Sequence, residues 1–117
     1  MNQVGEIIQI ETITNGCRIL NANELMSLLK VDINVYWSWG VKKIIVDNMK
    51  NCKMLRLTVN GHHHKGHVFI FLNGLDLFDV YLTSRTGKIK LIGQNLYFDE
   101  LTDWIDNKVE KIPAYVN

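Results

Sequence analysis

The sequence predicts an α+β fold: an antiparallel meander sheet of four to six strands, with two helices, at about 21–31 and 98–111, packed on one face. Three observations carry this prediction. The dipeptide Asn-Gly occurs at Asn15-Gly16, Asn60-Gly61 and Asn73-Gly74, and both residue types tolerate the positive φ that tight hairpin turns require. Between residues 53 and 92 apolar and polar side chains largely alternate, the period of a strand with one dry face. Two other segments repeat their apolar residues at steps of three and four, the period of a helix.

Taken in order, residues 6–13 are rich in Ile and Thr and lead into Asn15-Gly16. They read as a strand with a short return through 17–20. Asn21 then stands where a helix cap accepts from the first-turn amides, and Glu24 where a capping-box carboxylate reaches back. Leu25, Leu28 and Leu29 share one face of the helix that follows. In residues 34–46, Val35, Trp37 and Trp39 alternate with Tyr36 and Ser38, and Ile44, Ile45 and Val46 are β-branched. This stretch reads as one bent strand or two short ones, with Gly40 marking a bulge or a close backbone approach.

From residue 53 the pattern is cleaner. Leu55, Leu57 and Val59 alternate with Arg56 and Thr58. Residues 67–72, His-Val-Phe-Ile-Phe-Leu, are apolar on both faces, as in a central strand covered twice or a strand whose outer face meets a partner. Phe78, Val80 and Leu82 form the next strand, and Ile89 and Leu91 a shorter one after the turn at 85–88. In the last helix Phe98, Leu101, Ile105, Val109 and Ile112 recur at helical steps beside Trp104. Its acidic residues lie early and its lysines late, in favour of the helix dipole, and Pro113 stops it.

A chain of 117 residues fits one domain, and 47% hydrophobic with 21% charged residues is an ordinary globular balance. Its net charge of +1 is not that of a protein that wraps phosphate backbones, so a nucleic-acid role would need a local patch. Two cysteines, Cys17 and Cys52, make no disulfide framework and fit free thiols in a reducing compartment. No apolar run approaches the ~20 residues of a membrane span, and the start of the chain lacks the pattern of a signal peptide. The expected setting is cytoplasmic, with no membrane partner.

Several motifs also carry a resemblance: Ser38-Trp39-Gly40-Val41-Lys42-Lys43, Leu55-Arg56-Leu57, the run from Val68 to Val80, and Asn95-Leu96-Tyr97-Phe98-Asp99-Glu100-Leu101. From about residue 37 to 106 the chain resembles small uncharacterised proteins of bacteriophages and bacterial mobile elements. The resemblance implies a phage or mobile-element origin and an accessory role, and it supplies no catalytic residues.

The residues themselves offer several candidate sites. The loop His62-His63-His64-Lys65-Gly66-His67 could chelate zinc or nickel if His62 and His64 point the same way on a hairpin; its other reading is an exposed polar loop. Asp76, Asp79, Asp99, Glu100 and Asp103 could form an acid/base pair or a magnesium site, but turn and helix-start roles explain them as well. Tyr36, Trp37, Trp39, Lys42, Lys43 and Arg56 interleave rings with cations, as single-stranded nucleic acids require; alternatively Trp37 and Trp39 are core. With Val68, Ile70 and Leu72 inward, Phe69 and Phe71 face the other way, a patch that invites a protein partner or a second copy. The expectation is therefore a non-enzymatic accessory protein, without catalytic residues or cofactor, that binds a protein or itself through Phe69 and Phe71. A weak single-stranded nucleic-acid binder using Trp39, Lys42, Lys43 and Arg56 is the first alternative. A metal-dependent enzyme using the histidine loop is the second.

Overall fold

The computed structural model describes residues 2–110. Their elements run α1 (Ile10–Thr14), α2 (Ala22–Leu29), α3 (Ile33–Ser38), β1 (Lys43–Val46), β2 (Leu55–Asn60), β3 (Lys65–Leu72), β4 (Phe78–Thr83), β5 (Ile89–Leu96) and α4 (Leu101–Val109). The strands form one antiparallel sheet in the order β1-β2-β3-β4-β5, the expected meander. Tight turns make this order. Asn73 Oδ1, for example, accepts from the amides of Leu75 and Leu77, and closes the β3–β4 connection around Asp76 at φ +61°.

Alternation divides the sheet into two dissimilar faces. On the first, Leu55, Leu57 and Val59 of β2 meet Val68 and Ile70 of β3 and Val80 and Leu82 of β4. Three helices cover this face. Asn21 caps α2 by accepting from the Glu24 amide at 3.0 Å, and Leu25 and Leu29 turn inward. Leu101, Ile105 and Val109 of α4 are fully buried. Between α3 and α4, Trp39 Nε1 donates to Asp106 Oδ1 at 3.0 Å, which satisfies the indole of a ring with no exposed surface. Gly93 gives Trp104 its seat on β5: a Cβ there would stand 2.5 Å from the indole.

The second face carries Phe69, Phe71, Tyr81 and Ile89, with Phe71 edge-on to Tyr81. The expectation that these rings lie open is corrected. Phe69 is 3% and Phe71 0% exposed, because Ile8, Ile10, Ile13 and Cys17 pack over them. Residues 2–17 thus form a lid on the far side of the sheet. Gly5 and Ile8 amides donate to the carbonyls of Ile89 and Gly87, and the Ile89 amide to that of Glu6. Residues 17–20 then carry the chain round the end of the sheet. Arg18 bridges to Leu72, and Leu20 enters the core of the first face.

Two element assignments are corrected. Residues 6–13 are not a strand: beyond a bridge between Ile7 and Lys88, they enter the short helix α1. Ile10, Ile13 and Cys17 stand three and four apart, and packing on the rings overrides β-branched propensity. Residues 34–46 begin as helix α3, because Asp32 Oδ1 accepts from the amides of Asn34 and Val35. Gly40, at φ +63°, ends this helix in the left-handed region and approaches Asn60, whose amide donates to the Gly40 carbonyl. The close approach expected there is present, and only β1 remains of the strand. In the last helix, Phe98 stands outside α4 and is exposed. Lys111, Ile112 and Pro113, read as that helix's end, lie outside the described residues.

Candidate functional site

The residues singled out by sequence do not assemble into one site. Phe69 and Phe71 are interior, as described. Of the ring-and-cation set, Trp39 and Tyr36 are buried while Trp37 is 68% exposed, so a strand-like row of rings does not form. On a helix, alternate residues diverge by about 200°. Lys43 and Arg56 do share a face of β1 and β2, with Lys43 paired to Thr58 and Ile45 to Arg56, whereas Lys42 precedes β1. The histidine pair separates. His62 is exposed and rests edge-on against His63, whereas His64 is buried and its Nε2–H donates to the His67 carbonyl at 3.2 Å. Joint chelation by His62 and His64 is therefore corrected, and among the described residues no group of three or more His, Cys, Asp or Glu is placed to hold a metal ion.

The carboxylates serve the backbone. Asp79 Oδ1 accepts from the Asn95 amide and from Asn73 Nδ2, both at 3.0 Å. Asp76 pairs with Arg18 at 2.9 Å, and Glu100 Oε1 accepts from the Tyr97 amide. Both thiols are free. Burial pushes the Cys17 thiol up, with Asp79 adding to it, and burial likewise pushes up Cys52; a nucleophile needs the opposite shift.

A different surface carries an open strand edge beside a cleft. β1 is an edge strand, bonded to β2 on one side only. The Asp47 amide donates to the Met54 carbonyl, which makes 47/54 and 45/56 the mutually bonded pairs of this ladder. The N–H and C=O groups of Ile44 and Val46 therefore point away from the sheet. Their side chains line a cleft of about 640 Å³ with Leu20, Ala22, Met26 and Met49. Ala22, at the first position of α2, leaves the cleft its width, and Met49 stands 89% exposed at its rim. Its volume is that of an ordinary ligand pocket.

Sequence reading missed this cleft although it recognised Ile44 and Val46 as strand residues. Edge position depends on the order of all five strands, and the opposite wall comes from α2, which ends 14 residues before β1 begins. A smaller apolar hollow of about 460 Å³ lies between Leu28, Val31 and Phe98. No family model, no curated protein and no solved structure matches this chain. Among the described residues no helix is long and apolar enough to cross a membrane.

Proposed function

We propose that this protein is a non-enzymatic binding module that receives an extended apolar segment of a partner protein as an added strand along β1. One observation carries the reading: an unpaired strand edge borders a cleft whose apolar wall includes Ile44 and Val46, with Asn21, Asn23, Asn48 and Lys50 among its polar lining. Main-chain hydrogen bonds to the edge would supply affinity, and alternate side chains entering the cleft would supply selectivity. The edge is only four residues long and begins at Lys43, features that blunt indiscriminate pairing. A partner must therefore fill the cleft as well as extend the sheet. An accessory role in a phage or mobile element is what the resemblance of residues 37–106 implies, and a binding module fits such a role.

Peptides selected on the purified protein from a random displayed library test the proposal. They should carry apolar residues at alternate positions and shift the amide resonances of residues 44–46. Ala22→Trp, which fills the cleft and leaves the edge untouched, should weaken binding at least about tenfold, the loss of a well-filled pocket. Selection of no peptide, or of peptides whose shifts centre on Val31 and Phe98, overturns the reading. A dimer of the free protein dissolved by Ile44→Lys would instead make a second copy the occupant.

A further inference from the structure

The lid over the second face stops partway across the sheet, and what lies beyond it is cationic. Lys43, Thr58, His67 and Thr83 are in register across β1, β2, β3 and β4. Arg56, two residues from Thr58 on the same strand, shares their face, and Arg85 follows β4. Three steps between neighbouring strands make this row about 14 Å long. Lys43 and Arg85 are exposed, and Arg56, Thr58 and His67 half-buried. Among the described residues none of these three cations has an ion-pair partner, whereas Arg18 pairs with Asp76 elsewhere. Arg56 Nε is also closed off from solvent without a hydrogen bond, so that this guanidinium is under-satisfied.

His67 sits at the middle of the row, held at both nitrogens. Its Nε2 faces the Arg85 carbonyl at 3.2 Å and its Nδ1 the Thr58 hydroxyl at 3.0 Å. A carbonyl only accepts, so Nε2 carries the proton and Nδ1 accepts from Thr58 in the neutral ring. Burial first, then the Arg56 and Arg85 guanidiniums, hold its pKa below the ordinary value. Its neighbours on the facing strands, Thr58 and Thr83, carry no charge.

We propose that Lys43, Arg56, His67 and Arg85 form a binding face for the phosphate backbone of a single-stranded nucleic acid. The row is too long for one small anion, and Arg forks suit successive phosphate oxygens. The bases gain no ring to stack on, because Phe69 and Trp39 are interior. Binding is therefore carried by charge, without base preference, in the non-specific range of roughly 10⁻⁴–10⁻⁶ M at physiological salt. This face is opposite the cleft of β1 and α2, so the two sites are separable.

The test is fluorescence-anisotropy titration of a labelled twelve-residue oligothymidine at pH 7.5. Three phosphate contacts on a single strand give a log–log salt slope of about −2, hence about a twentyfold loss between 50 and 200 mM NaCl. Arg56→Gln and Lys43→Gln should each flatten the slope by about 0.7, with folding verified by circular dichroism, while Lys108→Gln on α4 should not. With its pKa held below the ordinary value, His67 is neutral at pH 7.5, so His67→Gln should leave the slope unchanged there. Ala22→Trp should leave all of this intact, so failure here and failure of the peptide-binding reading are distinguishable. The proposal is overturned by absence of saturable binding at 50 mM NaCl, or by an equal loss in Lys108→Gln. Competition by inorganic phosphate at the concentration of oligonucleotide phosphates, or by poly-glutamate of equal length, overturns it too.

Discussion

The two faces of the sheet are made from the same strands yet are closed by different means. Helices α2, α3 and α4 close the first with aliphatic side chains and one tethered indole. The second is closed by loose chain, one short helix and a few bridges, laid over rings. β3 contributes Val68 and Ile70 to one and Phe69 and Phe71 to the other. A strand apolar on both sides thus needs no second molecule when an early segment of its own chain can reach it. The first face leaves an open cleft between β1 and α2. The second reaches β1 at Ile45 but leaves the end of the strands at Lys43, Thr58 and His67 less covered, and it is there that unpaired charge collects.

The largest expected effect tests whether the second face is a core at all. Phe71→Ala should cost about 3–5 kcal/mol, as should Trp39→Ala on the first face. Urea unfolding with fluorescence detection measures both. A cost within about 0.5 kcal/mol for Phe71→Ala is what a surface position gives, and it would reopen the face to a partner. Next comes the seat of Trp104. Gly93→Ala drives a Cβ against the indole and should cost about 1–3 kcal/mol, as overpacking does. The double change with Trp104→Leu should recover part of that loss, whereas additive losses would mean the contact is slack.

The histidines give the comparison a pH dependence. Burial lowers the pKa of His64, and burial together with Arg56 and Arg85 lowers that of His67. Below the unfolded value of about 6.5 the unfolded chain therefore binds protons that the folded chain resists. Stability should be greatest above that pH and fall as pH drops through the interval between the unfolded and folded pKa values. Urea midpoints at pH 7.5, 6.5 and 5.5 check the sign. His64→Gln should flatten the fall on the helix-covered side, and His67→Gln on the charged side. If neither variant changes the pH dependence, both rings titrate normally.

Much of the first face was legible in the sequence, because its signals are local. Leu55-x-Leu57-x-Val59, the Asn21 cap and the Leu101–Ile105–Val109 spacing each specify an element without reference to the rest. Two of the three Asn-Gly pairs fall at the turns that open and close β3, while Asn15-Gly16 follows α1. The second face was harder to read. Ile10, Ile13 and Cys17 carry a helical spacing, but over a single turn, which β-rich composition obscures. In 33–39 the rings mimic a strand, and the deciding residue, Asp32, stands just outside the run. The exposure of Phe69 and the edge status of β1 depend on where distant segments go. Neither the cleft nor the cationic row could be read from spacing alone, although Lys43 and Arg56, both singled out from sequence, do share the latter.

The smallest expected effect lies where the two faces meet. Residues 17–20 bring the chain from the lid to the helical side, and Arg18 reaches Asp76 there through both carboxylate oxygens at 2.9 Å. The geometry is good, but the two side chains are 57% and 63% exposed. Water and salt screen such a pair, and holding two long side chains costs entropy, so its contribution should be under about 1 kcal/mol. The crossover is held more firmly by its backbone: the Arg18 amide donates to the Leu72 carbonyl and the Leu20 amide to that of Cys52, each at 2.8 Å. A double-mutant cycle with Arg18→Ala and Asp76→Ala measures the coupling, and adding 0.5 M NaCl should shrink it further. A coupling above 2 kcal/mol that survives salt would mean that the lid is fastened from its end, and that the closure of the two faces is one event and not two.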